Sequence, residues 1–280
     1  MTRALVTGST SGLGLEFAWQ LAGTGHDLVL VARDEDRLRA VAAQIRDAHK
    51  VTIDVLPADL TDREQLDRVA TRLTDPVDRV DLLVNNSGYG LRGGFLAVGV
   101  EDHEKQMDAF MRAVLVLSHA AARTMVQRRR GAILTVSSLA AQGAVGPYAA
   151  SRAWVTTFTE SLARELQGTG VTVTALLPGF VHTGAHEAAG ANREGLPRVT
   201  WLKAPFVVEQ ALRDAARGKV ISSPSISRRM GDDDCEHTVP PVRSQTMSRW
   251  TRVLGERALK RARRRASSRR LHAHWQREDD

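Results

Sequence analysis

Gly8, Gly12 and Gly14 fall within the run Thr7–Gly14, T-G-S-T-S-G-L-G, where the sequence first offers chemistry. A short apolar run, Ala4-Leu5-Val6, precedes it, and Leu13, Phe17, Ala18 and Leu21 follow at the three- and four-residue spacing of a helix. Strand, glycine turn and helix together present backbone N–H groups and a helix N-terminus, which bind phosphate without a charged side chain. Gly8 allows the sharp turn out of the strand, Gly12 the approach of a pyrophosphate, and Gly14 close packing of helix on strand. The spacing is G-x3-G-x-G rather than G-x-G-x-x-G, so the likeness is one of mechanism and not of letters. Taken alone, the run reads either as a nucleotide turn or as an ordinary Gly/Ser/Thr connection.

The elements that must position this turn follow in regular order. Asp27–Ala32 reads as a buried strand, and a helix through Leu38, Val41, Ala42 and Ile45 comes after Arg33-Asp34. Val51–Leu56 reads as a third strand ending at Pro57-Ala58-Asp59-Leu60, and Thr61 or Asp62 caps the next helix. Asp81–Val84 is a fourth strand running into Asn85-Asn86-Ser87-Gly88, and a long helical region covers about 101–128. Gly131–Val136 is a fifth strand ending at Ser137-Ser138, Pro147 opens a helix to about Gln167, and Val171–Leu177 is a sixth strand stopped by Pro178-Gly179. Residues 180–204 show no period. Pro205–Arg217 is helical and Lys219–Ser222 is a short seventh strand. Strands alternating with helices predict an α/β fold: a Rossmann-type, doubly wound parallel sheet of about seven strands with helices on both faces. Ligands of such sheets bind at the carboxyl ends of the strands, where Gly8–Gly14, Arg33, Asp59, Asn85–Gly88, Ser137-Ser138 and Pro178–Thr183 all fall.

The chain has 280 residues, 42% hydrophobic and 25% charged, which suits one large domain with a full core. The single Cys235 excludes a disulfide framework within the chain and suits a reducing, cytoplasmic compartment. Met1-Thr2-Arg3 runs straight into the first strand, leaving no room for a signal peptide, and no apolar run reaches membrane-spanning length. The net charge is +7, and residues 228–280, with 14 Lys/Arg against 8 Asp/Glu, carry +6 of it. A domain over 1–227 and a basic extension over 228–280 are therefore expected. In the extension Met247, Trp250, Val253-Leu254 and Leu259 fall at helical spacing beside Arg249, Arg252, Arg257, Lys260 and Arg261. This reads either as an amphipathic helix for an anionic membrane or a partner, or as a solvated, partly disordered tail. Nucleic acid fits less well, because Arg263-Arg264-Arg265 has little aromatic interleaving.

Six pieces in order, T-G-S-T-S-G-L-G, Asp59-Leu60, N-N-S-G at Asn85–Gly88, Ser137-Ser138, Y-A-A-S-R at Tyr148–Arg152 and P-G-F-V-H-T at Pro178–Thr183, resemble the short-chain dehydrogenase/reductase family over about residues 3–227. The resemblance implies hydride transfer between a nicotinamide cofactor and a carbonyl or alcohol. Ser138 would hold the substrate oxygen, and Tyr148 would be the general acid in reduction and the general base in oxidation. A free tyrosine titrates near ~10 and needs a neighbouring cation to serve near neutral pH. The family supplies a lysine four residues on, one helical turn away; here that position is Arg152. The cofactor would lie against Gly8, Thr10, Ser11, Gly12, Leu13 and Gly14, with Asp59 and Leu60 at the adenine, Asn86 against the adenosine half and Thr183 against the nicotinamide amide. Gly88, Tyr148, Arg152, Pro178 and Gly179 would also contact the cofactor. No metal site is assigned.

Three departures bear on activity. Arg152 keeps the lysine's charge but not its ability to release a proton. The family's helix asparagine, which is thought to hold a water in the proton path, falls by register at Phe110. The loop from Ser138 to Tyr148 is about three residues shorter than usual. The expectation is a slow NADP-dependent oxidoreductase; the alternative is a non-catalytic NADP(H)-binding member acting as a sensor or partner. NADP is expected over NAD because Arg33 stands where NAD-preferring members carry an acid, unless Arg33 is a loop arginine paired with Asp36. Phe180, His186, Leu196 and Trp201 in the 180–204 segment point to an apolar substrate. By analogy with the family, a dimer or tetramer through the two long helices is expected.

Overall fold

In a computed structural model of the chain, which describes residues 2–143, 146–182 and 201–224, the apolar runs form one parallel sheet. Its strands are β1 (Arg3–Thr7), β2 (Asp27–Ala32), β3 (Ile53–Pro57), β4 (Leu82–Asn85), β5 (Gly131–Val136), β6 (Val171–Leu176) and β9 (Ile221–Ser222). They lie in the order β3-β2-β1-β4-β5-β6-β9. The order reverses between β1 and β4, and a doubly wound sheet opens its ligand crevice at such a reversal. Alternate residues of each strand supply opposite cores. Ala4, Val6, Leu28 and Leu30 pack under α1 (Gly12–Gly23) and α2 (Glu35–His49) with Phe17, Leu38 and Ile45. Leu5, Val29 and Val31 join Leu66, Val69 and Leu73 of α3 (Arg63–Leu73) on the other face. With helices on both faces no strand needs a polar side, so β2 is buried along its whole length.

Helix starts are fixed by short polar side chains. Asp34 caps α2 by accepting from the Arg37 N–H at 3.0 Å. Asp62, rather than Thr61, caps α3 by accepting from the Gln65 N–H at 2.9 Å. The long helical region is continuous but not uniform: α4 (Val100–Met107) passes through a π-turn at Asp108–Arg112 into α5 (Ala113–Arg128). Taken as one helix of 29 residues it is long and apolar enough to cross a membrane, contrary to the expectation from apolar runs. Over half of its apolar window is buried inside the fold, where Ala113, Leu117 and Met125 pack into the second core. A helix is apolar along a stripe, so its contiguous runs understate the whole.

The segment without a period also holds structure: β7 (Phe180–Val181) pairs in parallel with β8 (Trp201–Leu202). Two residues are too few to show alternation. The helix α6 (Gly146–Glu165) carries Pro147 in its first turn, as does α7 (Ala204–Ala216) with Pro205. The expected extension from 228 lies outside the described residues.

The edge strand β9 is held by a buried carboxylate. Asp214 of α7 accepts from Ser222 Oγ at 2.8 Å and from Gln210 Nε2 at 3.1 Å, and pairs with Lys219 Nζ at 3.2 Å. Burial pushes this carboxyl up, but the three hydrogen bonds and the lysine charge outweigh it and hold it below the usual aspartate range. Asp214→Asn is expected to lower the unfolding free energy at neutral pH by about 2–4 kcal/mol, read by urea denaturation. The folded carboxyl titrates below the unfolded value of about 3.9, so its charge-dependent stabilisation is complete above that value and is lost as pH falls through the folded one. A gap between wild type and variant that stays constant through the acid range would show that the charge does not hold β9.

Candidate active site

The crevice at the β1/β4 reversal is a cleft of about 670 Å³, a usual size for a small-molecule site. The glycine turn forms one wall. Gly8 and Gly12 have φ of +65° and +55°, in the left-handed region that favours glycine. A Cβ on Gly14 would lie 2.1 Å from the Gly8 carbonyl oxygen, so the helix start packs against the turn itself. Ser11 sits at the N-cap of α1 without a side-chain bond to the first turn, and Gly12 and Leu13 line the cleft. The helix thus presents uncapped amide donors with no acidic residue in its first turn, which suits an anion.

Asn86 holds this wall in place. Its Nδ2 donates to the Thr7 carbonyl at 3.0 Å and the Gly8 carbonyl at 3.3 Å. In return Thr7 Oγ1 accepts from the backbone N–H groups of Asn86 and Ser87 at 2.9 and 3.0 Å. The side chain placed along the adenosine half is therefore committed to the two carbonyls, and Asn86 meets the cleft from that position.

Ala32, Arg33, Asp34, Arg37, Ala58, Asp59, Leu60 and Thr61 form one end of the cleft. Arg33 is exposed, and no ion pair joins it to Asp36. Arg37, in the first turn of α2, brings a second guanidinium that the strand-end reading missed; its place just inside a helix starting at the crevice was the available signal. Asp59 Oδ1 accepts from the Thr61 N–H and hydroxyl at 2.9 and 2.8 Å, leaving Oδ2 for other partners. Tyr89, also missed, directly follows the N-N-S-G run and lines the cleft. Burial pushes its phenol above the ordinary range, with Arg33 pulling against the shift.

The other end holds Val136, Ser137, Tyr148, Arg152 and Val181. Arg152 is buried, at 7% exposure. Its Nη1 donates to the Val136 carbonyl at 2.9 Å, and among the described residues its Nε has no partner. Its guanidinium carbon lies 3.8 Å from the centroid of the Phe110 ring and 5.2 Å from that of Tyr148. Phe110, fully buried in the π-turn, also meets Tyr148 edge-to-face at 5.7 Å. Ser138 stands apart from the lining: it caps the turn after β5, and its Oγ accepts from the Ala140 N–H at 3.1 Å while keeping its own proton to donate. The Leu139 N–H donates to the carbonyl of buried Pro178 at 3.0 Å, which ties this turn to the Pro178-Gly179 bend; neither Pro178 nor Gly179 lines the cleft. Thr183 lies outside the described residues.

The sequence model of short chain dehydrogenases matches residues 2–194. The chain belongs to the short-chain dehydrogenase family. Among solved members it is similar to a short-chain dehydrogenase from Sphingobium yanoikuyae in complex with NADPH, 31% identical, with a TM-score of 0.75 over 94% of this chain and 96% of that one. An alcohol dehydrogenase from Comamonas testosteroni specific for bulky-bulky ketones is 28% identical, with a TM-score of 0.73 over 94% of each chain. A 3-oxoacyl-acyl-carrier-protein reductase of Aquifex aeolicus is 32% identical over 183 residues, 64% of this chain and 74% of that one. The short-chain dehydrogenase fold, with its crevice at the sheet reversal, is thus shared with oxidoreductases.

The latch at the reversal can be tested without a ligand. Asn86→Ala strands two carbonyls and should cost about 1–3 kcal/mol of stability by chemical denaturation. Asn86→Asp should cost more, because a carboxylate would face the carbonyls of Thr7 and Gly8; the reverse ranking would show that Asn86 acts through packing alone.

Proposed function

We propose that this short-chain dehydrogenase transfers hydride between NADP(H) and a carbonyl/alcohol pair, with Tyr148 as its acid–base group. The observation that carries the reading is the placement of Tyr148 and the buried Arg152 in one cleft with the uncapped start of α1. The residues present fit a dinucleotide. No side chain at Gly14 intrudes on the turn, the first amides of α1 are uncapped, and Arg152 keeps an unpartnered Nε. The solved relative in complex with NADPH supports the same assignment. When bound, the cofactor supplies the hydride; the remaining work falls to the chain.

The Gly8 and Ser9 N–H groups are taken by the Val31 carbonyl, so the uncapped N–H groups at the start of α1 would hold the pyrophosphate. Arg33 and Arg37 would receive the 2′-phosphate at the other end, and Leu60 would pack at the adenine. Ser138, which caps the turn next to the lining residue Ser137 and does not itself line the cleft, would give its free hydroxyl proton as a hydrogen bond to the substrate oxygen. Tyr148 delivers a proton to that oxygen in reduction and takes it back in oxidation, while Arg152 places a permanent positive charge beside the phenol. Arg152 cannot pass a proton on and Phe110 cannot anchor a water, so Tyr148 is resupplied slowly. General acid–base steps contribute about 10²–10⁴-fold, and loss of part of the relay leaves a slow enzyme. Val181, which lines the cleft on the strand pair it forms with Trp201–Leu202, favours an apolar carbonyl substrate.

Calorimetric titration should show NADP(H) binding more tightly than NAD(H), with Arg33→Ala and Arg37→Ala each costing about 1.5–3 kcal/mol for NADP(H) only. Equal affinities in wild type would overturn the cofactor assignment.

A carbonyl panel assayed with NADPH should reveal slow turnover. It should be lost in Tyr148→Phe and raised in the double variant Arg152→Lys/Phe110→Asn. If wild type and the double variant are both inactive while NADP(H) still binds, the chain is a nucleotide-binding protein and not an enzyme.

A further inference from the structure

Phe110 and Arg152 are separate departures in the sequence, but in the fold they touch. Resting on the assignment of Tyr148 as the acid–base group, we propose that Phe110 is the positioning residue that fixes the Arg152 guanidinium beside Tyr148, so that the two residues function only as a pair.

The guanidinium needs such a support. Arg152 is buried, yet among the described residues no carboxylate pairs with it, and the bond from Nη1 to the Val136 carbonyl is its one hydrogen bond from the guanidinium. A single bond at one end of a long side chain does not fix the plane of its charged group. The Phe110 face does: a planar cation stacks on an aromatic ring, and the attraction strengthens when water is excluded. Here the separation is 3.8 Å and the ring is fully buried. The same ring meets Tyr148 edge-to-face, so one side chain sets the place of both cation and phenol.

Two further features serve this stack. The π-turn at Asp108–Arg112 interrupts the helical ladder where Phe110 meets Arg152 and Tyr148, which line the cleft, and such turns recur at functional sites. It is anchored by Arg112, which pairs with Asp108 at 2.9 Å and donates to the Thr61 carbonyl at 2.6 Å. Gly88 leaves the space: a Cβ there would lie 2.0 Å from the Phe110 ring and 2.9 Å from Arg152 Nη2. A lysine at 152 would offer no plane to the ring, and an asparagine at 110 would offer no face to the guanidinium. Each single change should therefore slow the enzyme even where the double change speeds it.

A double-mutant cycle in the full chain tests the pairing. Phe110→Leu keeps an apolar side chain without the ring; with Arg152 present it should lower kcat about tenfold or more, leaving the KM for NADPH within about twofold. In the Arg152→Lys background the same change should cost less than about threefold. Phe110→Tyr, which keeps the face, should restore most of the kcat. If Phe110→Leu fails to fold, Phe110→Met takes its place. Equal losses in both backgrounds, or a Phe110→Tyr variant as slow as Phe110→Leu, would overturn the pairing while leaving the role of Tyr148 intact. Full turnover in Tyr148→Phe would overturn the underlying assignment. A readout independent of turnover is the Arg152 Nε–H resonance of ¹⁵N-labelled protein. The ring current of a stacked face shifts it, and Phe110→Leu should return it to the range of the other arginines; an unmoved signal would also refute the pair.

Discussion

The carboxamide of Asn86, set between the carbonyls of Thr7 and Gly8, is the contact on which the arrangement of the cleft depends. A parallel sheet that reverses its winding leaves β1 and β4 adjacent with their connections departing on opposite faces. Nothing in sheet hydrogen bonding closes the gap beyond their last residues. Asn86 and Thr7 close it with reciprocal bonds between side chain and backbone. Gly8 and Gly12 are held in left-handed conformations, the Gly8 and Ser9 N–H groups are tied to the Val31 carbonyl, and Gly14 is free of the Cβ that would force the turn open. Phosphate-binding geometry here is a property of backbone held rigid, with the side chains serving as fasteners.

The opposite end of the cleft solves a different problem. A buried guanidinium without a carboxylate is costly, because a charge removed from water must be met by dipoles or partners. Arg152 is met by one carbonyl and by two aromatic rings, Phe110 at 3.8 Å and Tyr148 at 5.2 Å, and among the described residues its Nε has no partner. The cost is tolerable only because Phe110, Gly88 and the π-turn are shaped around it. Arg152 Nε is one of the buried polar atoms without a partner among the described residues, while the cores on either side of the sheet are largely aliphatic packing. That contrast is expected where local rules are broken for chemistry and paid for by the scaffold.

Between the ends, the cleft is polar at the Arg33/Arg37 side and more apolar at the Val136/Val181 side. A ligand that is anionic at one end and apolar at the other meets both without reorganisation. The short pairing of β7 with β8 sets Val181, which lines this side, beside Leu202.

The sequence by itself determined the architecture, since apolar runs of strand length alternating with helical stripes leave a doubly wound parallel sheet as the natural solution. It also located the crevice, because glycines, serines and asparagines collected at strand ends. The strands expected at Val51–Leu56 and Lys219–Ser222 appear at Ile53–Pro57 and Ile221–Ser222, shifts that reflect where ladder partners run out and not any local preference. Asp62 was legible, beside Thr61, because a cap acts on residues three positions away. What only the tertiary structure decided was every relation between distant positions. Arg37 and Arg33 share a cleft wall through the entry angle of α2, Asn86 reaches back across 78 residues to Gly8, and Phe110 lies against Arg152 through a π-turn that no periodicity announces. Local pattern encodes elements because their hydrogen bonds are local. The pairing of a cation with a ring 42 positions away depends on packing distances that exist only once the sheet has brought β4, β5 and the long helix together.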